Sequence, residues 1–300
     1  MFSVLIGRVS TVDSTRILET LDALMHQTGD HEVEVIVADR LQDDITRKIG
    51  ERYPHVRLLR AHAGTSLPVL RAWALEHASG EFIAVTEDHC VPDPDWLAAI
   101  ADAYRRAPPE TLAVGGCIGN GIRESALDWA TFLCEYGCFL PPIGEGVTTV
   151  LPGMNLAYRR TALESVPPQS LREGFWETTV HPLLNARGSR FYATNRIRVT
   201  HKKKFTLGFF LSQRFLYSRY YAGRRLAREQ VWRRAWMCLG TVLLPPLVLY
   251  RFYRGIWPKR HGRCELLAAT PYLVVFSLVW AAGEMVGYAA GAGAALAALE

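Results

Sequence analysis

Up to about residue 200 the chain alternates short β-rich runs with stretches of helical periodicity, and this alternation restricts its fold more than any other feature. Ser3–Ile6 reads as a strand, Thr15–Gln27 as a helix with Ile17, Leu18, Leu21, Leu24 and Met25 at helical spacing, and Val33–Ala38 as a buried strand. Asp43–Tyr53 then reads as a helix, Val56–Arg60 as a strand, Leu67–Ala78 as a helix, and Glu81–Thr86 as a strand running into Glu87-Asp88-His89. The pattern predicts an α/β fold with a mostly parallel sheet covered by helices on both faces. Ligands in such sheets bind beyond the carboxyl ends of the strands. Asp39 and Glu87-Asp88-His89 stand at two such ends, so one cleft is expected to collect both.

Pro92 and Pro94 keep the chain extended after the triplet, and Asp95 is expected to N-cap a helix over Trp96–Tyr104, because a carboxylate there accepts orphan backbone N–H groups. The next region reads as a strand (Leu112–Ile118), a helix (Ser125–Cys138) and a Pro/Gly loop (Pro141–Gly146). Two carboxylates followed by an imidazole form a donor set that suits Mg²⁺ or Mn²⁺. An acidic turn after a strand also serves as an ordinary cap, so the triplet gains its meaning from its surroundings.

Those surroundings are specific. Phe82-Ile83-Ala84-Val85-Thr86-Glu87-Asp88-His89-Cys90-Val91-Pro92-Asp93-Pro94-Asp95-Trp96-Leu97 sets a strand, an acidic triplet and a Pro-x-Pro-x-Trp-Leu turn in an order that resembles glycosyltransferase family 2, whose nucleotide-binding α/β fold is called GT-A. The resemblance extends over roughly residues 2–201. Glu34-Val35-Ile36-Val37-Ala38-Asp39 is similar to the family's strand ending in an Asp at the nucleotide base, and Leu70-Arg71 with Ala78 and Gly80 to its Ala-Arg-Asn segment. The resemblance implies that Asp39 and Arg71 hold the donor. Gly153-Met154-Asn155-Leu156-Ala157-Tyr158-Arg159-Arg160 is similar to the family's strand beside sugar and acceptor, which implies Asn155 as a donor contact; by its residues alone it is a β-edge ending in a basic turn.

Trp176-Glu177-Thr178-Thr179-Val180 stands in the place of the family's Glu-Asp motif, with Gly188 at the following spacing, so the resemblance implies Glu177 as the catalytic base. Chemistry requires a base, since an acceptor hydroxyl attacking an anomeric carbon must lose its proton. As a plain residue, Glu177 is a first-turn helix carboxylate favoured by the helix dipole, and His181 one turn on is expected to be packed. His201, closing the strand Ile197–Thr200, holds a place where this fold often sets a histidine for metal or diphosphate. The implied site is then Glu177 for catalysis; Asp39, Arg71, Glu87, Asp88 and Asn155 for the nucleotide sugar; and Asp88, His89 and His201 for a divalent metal, Mn²⁺ or Mg²⁺. The chain departs from the family's pattern at Gly7-Arg8-Val9-Ser10, where a Pro-Thr-Tyr-Asn-like run is usual, at Glu87 and His89, where aspartates are usual, and at Trp176, in place of an acid.

The formal net charge is +5, but the surplus bases cluster beside apolar segments, which fits an anionic membrane surface rather than nucleic acid. The six cysteines form no CxxC pair and the N-terminus lacks a basic-then-apolar leader, so a reducing cytoplasmic setting is expected; Cys134 and Cys138 are expected as buried neighbours on one helix. From Phe205 to Arg234, Phe205, Leu207, Phe209, Phe210, Phe215, Leu216, Tyr217, Tyr220 and Tyr221 interleave with Arg214, Arg219, Arg224, Arg225 and Arg228, as in a helix lying at a membrane interface. Ala235–Tyr250 is apolar but contains Pro245-Pro246 and falls short of the about 20 residues of a straight span, which leaves a re-entrant hairpin or two full spans open. Leu266–Gly283 and its continuation to Leu299 can span once, with Glu284 near the far side or inside a bundle.

The expected organisation is a GT-A catalytic domain over 1–204, a basic-aromatic interfacial helix over 205–234 and membrane-embedded helices over 235–300. The expected activity is inverting transfer of a sugar from a nucleotide-sugar donor, a UDP-sugar foremost, to a lipid-linked or cell-envelope glycan acceptor, at the inner (plasma) membrane with the catalytic domain on the cytoplasmic face. Membrane lipids are the other expected partners. Transfer to a polyprenyl phosphate, or a catalytically degenerate GT-A scaffold, are the alternatives.

Overall fold

The structure is a computed structural model describing residues 1–186, 188, 190–225, 230–259 and 262–299. It separates into two compact units, 1–121 with 139–203 and 122–138 with 204–300.

The first unit opens with β1 (Phe2–Arg8), α1 (Arg16–Met25), β2 (Val33–Asp39), α2 (Asp44–Arg52), β3 (Arg57–Arg60), α3 (Leu67–Glu76), β4 (Phe82–Glu87), β5 (Cys90–Pro92), α4 (Trp96–Arg106) and β6 (Thr111–Asn120). After a helix of the second unit, α5 (Ala126–Tyr136), it resumes with β7 (Gly146–Thr148), β8 (Leu156–Arg159), α6 (Arg160–Glu164), α7 (Pro168–Gly174), α8 (Glu177–Asn185) and β9 (Arg190–His201). The sheet order is β3-β2-β1-β4-β8-β6-β9-β5, with β7 beside β9. β3, β2, β1, β4, β6 and β9 share one direction and β8, β5 and β7 oppose it. This is the mostly parallel, helix-flanked α/β sheet expected of a GT-A fold.

β1 is buried along its whole length, as a strand covered on both faces must be. Leu5, Ile36, Ile83, Val85, Leu156, Tyr158 and Phe191 belong to one apolar core beneath the helices. Strand register then brings the polar ends together: Arg8 lies opposite Asp39, Gly7 opposite Glu87, and His201 opposite both Cys90 and Asn120. β8, which reads as an edge in isolation, is flanked by β4 and β6 in the sheet interior.

Asp43 caps α2 by accepting from Ile45 N and Thr46 N, with Thr46 completing a capping box. Asp95 makes no such bond. Its backbone (φ −103°, ψ 16°) is not in the extended region that aims a capping side chain, and Leu97 N donates instead to Gln27 Oε1 at 3.0 Å, from beyond the end of α1.

The second unit contains α5, α9 (Leu207–Arg225), α10 (Val231–Gly240), α11 (Leu244–Ile256) and α12 (Arg263–Ala290). The expected basic-aromatic segment forms α9 and the start of α10 rather than one helix, and Arg228 lies outside the described residues. α9 runs along α12, where Gly283 meets Phe215 and Ser218, and Gly287 meets Arg219 and Ala222. Arg214 pairs with Glu135 of α5 at 2.7 Å. Cys138 is exposed in a turn just past α5 and Cys134 is only half-buried, because the helix stops at Tyr136; the expected buried pair does not form.

Val231–Ile256 and Arg263–Ala290 are long and apolar enough to cross a membrane, at 26 and 28 residues. The first exceeds the expected Ala235–Tyr250 because Pro245 and Pro246 stand in the first turn of α11, where a missing N–H costs no helical bond, just after the 3₁₀ turn Thr241–Leu243. Trp232 and Val242 of this segment are 82% and 75% exposed.

Candidate active site

The acidic triplet leaves the end of β4 with each side chain in a different role. Asp88 Oδ2 accepts from the backbone N–H groups of Val9 and Ser10 at 3.3 and 3.4 Å, which ties the triplet to the loop after β1. Asp88 Oδ1 lies 2.7 Å from His89 Nδ1, and His89 Nε2 faces Glu87 Oε2 at 3.3 Å. The His201 ring meets the His89 ring edge-on, centroids 4.8 Å apart.

Burial pushes all three groups toward neutrality and their contacts oppose it. Burial raises the Glu87 carboxyl, but the His89 hydrogen bond and the charges of His89, Arg71 and His201 hold it down at about 2. Burial likewise raises Asp88, and His89 with Lys203 outweighs it; burial lowers His89, and Asp88 with Glu87 raises it above its ordinary value.

A carboxylate on Nδ1 that fixes the tautomer and leaves Nε2 forward is the arrangement behind metal-ligating histidines. Donor atoms of Glu87, His89 and Cys90 lie within 4.8 Å of one another, so these residues fit a divalent cation. The metal donors expected from sequence were Asp88, His89 and His201. Of these, His89 is in the group, Asp88 stands behind it, and His201 packs against its ring. Cys90 was not among the expected donors, and its thiol stands in the group beside Glu87 and His89. Burial, then Glu87 and Asp88, push that thiol well above its ordinary pKa, so binding metal would displace its proton.

Glu177 is the first residue of α8 and lines a recess with Arg71, Val85, Gly153, Tyr158, Phe175 and Trp176. Arg71 Nη2 donates to Glu87 Oε1 at 2.9 Å, while its Nη1 is 4.0 Å from Glu177 Oε2. Arg71 thus joins the expected base to the expected metal motif. A Cβ on Gly153 would meet the Glu177 carboxylate, the end of a flexible side chain, which would have to shift to admit it. Burial raises the Glu177 carboxyl to about 7; Arg71 pulls it down and Glu87 pushes it up. His181 sits one turn along α8 with Nε2 2.9 Å from Tyr158 Oη, and burial lowers its pKa to about 4, so it is a neutral packed residue.

Two expected donor contacts are placed in the interior. Asp39 is 0% exposed: Oδ2 accepts from Arg8 Nη1 at 2.9 Å and Thr46 Oγ1 at 2.6 Å, and Oδ1 from Leu41 N at 2.8 Å. Asn155 is also 0% exposed; Oδ1 accepts from Trp96 Nε1 at 2.7 Å, and Nδ2 donates to Cys117 O and Ile197 O. Its amide pins α4, β6 and β9 together. Lys203 is buried close enough to lower Asp88, yet in sequence it is the middle of a Lys-Lys-Lys run with no signal of burial.

A glucosyl-dolichyl phosphate glucuronosyltransferase of Haloferax volcanii is 22% identical over 200 residues, covering 61% of this chain and 63% of the relative, less than two thirds of its length. Among solved structures, the mannosyltransferase PcManGT from Pyrobaculum calidifontis, in complex with GDP-Man and Mn²⁺, is similar at a TM-score of 0.49 and 18% identity, over 97% of this chain and 75% of that one. TarS 1-349 of S. aureus is similar at 0.49 and 15%, over 95% and 90%. The family model for glycosyl transferase family 2 matches residues 12–166, more than half of the sequence, and the chain belongs to that family.

Proposed function

We propose that this chain is an inverting glycosyltransferase that moves a sugar from a nucleoside-diphosphate donor, a UDP-sugar foremost, to a hydroxyl of a lipid-linked acceptor at a membrane. The observation that carries the reading is the Glu177 carboxylate, raised to about 7 in a recess and joined through Arg71 to the Glu87-His89 motif. A base working near neutral pH needs about that value.

Glu87 and His89 would hold a divalent cation, Mn²⁺ or Mg²⁺, with Asp88 orienting His89 and His201 packed beside it, while the Cys90 thiol of the same group suits softer ions. When bound, the cation supplies positive charge that offsets the departing diphosphate. Glu177 takes the acceptor proton as the acceptor oxygen bonds to the anomeric carbon. The carbon–oxygen bond to the diphosphate breaks with its electron pair leaving on the phosphate oxygen, which inverts the centre. Arg71 stands beside that diphosphate, and Asp39 and Asn155 shape the donor side from the interior.

A raised carboxylate favours a hydroxyl acceptor over a polyprenyl phosphate, which is already anionic and needs no base. The relative named for glucosyl-dolichyl phosphate supports a sugar carried on a lipid. In this reading residues 1–204 carry catalysis on the cytoplasmic face of the inner membrane, 205–234 lie at the interface and 235–300 are embedded. The exposed apolar residues of Val231–Ile256 support it.

Calorimetry with UDP and GDP, with and without Mn²⁺, tests the donor site. Metal-dependent binding is expected; no binding of either nucleotide would sink the enzyme reading and leave the scaffold.

A further inference from the structure

Arg71 stands between two carboxylates that it does not serve equally. Its side chain is 2% exposed and donates from Nη2 to Glu87 Oε1 at 2.9 Å, while Nη1 stops 4.0 Å from Glu177 Oε2. Arg71 Nε and Glu177 Oε2 are both buried without a hydrogen-bond partner. The Glu177 side chain is 24% exposed, but its Oε2 is buried and short of its donor by one ångström, which is costly because that atom is desolvated and the compensating bond unmade.

The groups facing Glu177 can be named element by element. Arg71 approaches from α3, Glu87 from β4 and Tyr158 from β8, and His181 shares α8 with its Nε2 against Tyr158. Arg71 is the one cation in this set, and Glu87 holds it.

The geometry points to Arg71 as a positioning residue that couples the base to the donor: once a cation and diphosphate engage Glu87, the guanidinium is released toward Glu177, which then ionises and is aimed only in the donor-loaded enzyme. This rests on the reading of Glu177 as base. The proton Glu177 loses goes to solvent as the donor binds, and the acceptor hydroxyl later replaces it. Donor binding therefore precedes productive acceptor binding.

The test compares full-length wild type, Arg71→Met, Arg71→Lys and Glu177→Gln. In wild type the acid limb of kcat should lie about one pH unit or more below that of kcat/KM for the donor, since the first reports the loaded enzyme and the second the free one. Arg71→Met should abolish that separation and Arg71→Lys should restore part of it. Equal separation in wild type and Arg71→Met overturns the coupling.

If Arg71→Met fails to fold or to bind donor, calorimetry of nucleoside diphosphate with Mn²⁺ in buffers of different ionisation enthalpy decides between wild type and Glu177→Gln. Near pH 7, wild type should release about half a proton more than Glu177→Gln; equal release overturns the proposal. Full activity in Glu177→Gln would instead remove the base assignment itself, a separate failure.

Discussion

Asp39 and Glu177 each face a buried arginine, and the family pattern gives both a place beside the substrates, yet their surroundings differ in kind. Asp39 has three donors on its two oxygens, with Arg8 at 2.9 Å and Thr46 at 2.6 Å, and Arg8 in turn reaches Asp43 at 2.8 Å. Glu177 has its arginine at 4.0 Å and one buried oxygen without a partner. Both oxygens of Asp39 are satisfied, although Arg8 Nε has no hydrogen-bond partner, and a carboxylate so enclosed resists change. A carboxylate left short of donors keeps its proton to near neutrality and has free energy to gain from a new partner. The first arrangement builds a wall of the site, and the second is suited to chemistry.

The largest expected effect is on the second. Glu177→Gln should keep the fold and lower sugar transfer by roughly 10²–10⁴-fold, the usual contribution of a general base; unchanged transfer would end the contrast. In wild type, kcat/KM for the donor should fall as pH drops through about 7, because in the free enzyme the raised carboxyl then takes up the proton that it must lack. Arg8→Met should act on stability instead. It leaves Asp39 as a buried charge without its cation, a loss of about 3–5 kcal/mol, read by denaturant unfolding. A change well under this would mean that Asp39 is less enclosed than its contacts indicate.

Asp88→Asn removes the carboxylate behind His89 and should weaken Mn²⁺ binding by about 10–100-fold, measured by calorimetry with no substrate present. Equal affinity would show that Asp88 does not set the orientation of His89. The smallest effect belongs to Thr46→Val, which deletes the hydroxyl's bonds to Asp39 and Arg8 and half of the capping box of α2 for about 1–2 kcal/mol. A much larger loss would reveal cooperativity within the Asp39 cluster.

What could be read in advance follows the range of the interactions. The β1 to β4 alternation was legible because each strand and helix carries its own apolar period. The Asp95 cap was not, since the donor's partner is Gln27, 70 residues away along the chain. Asn155 was read from its motif as a donor contact, whereas Trp96, Cys117 and Ile197 claim its amide from remote elements. Glu177 stands at the head of its helix as its spacing implied, but the 4.0 Å gap to Arg71 depends on where α3 and α8 come to rest. Pro245-Pro246 looked like a break because the 3₁₀ turn that places them in a first turn has no sequence mark.

The two glycines of α12 carry a further consequence. Gly283 and Gly287 let α9 approach one face of the helix, and at 3.6 residues per turn Leu267, Val274, Leu278 and Met285 fall on the opposite face, all of them exposed. A helix that is oily on both sides and, among the described residues, leaves one of them exposed offers that face to an apolar surrounding. The choice of amphiphile, more than of salt or pH, should therefore govern whether the purified protein stays monodisperse.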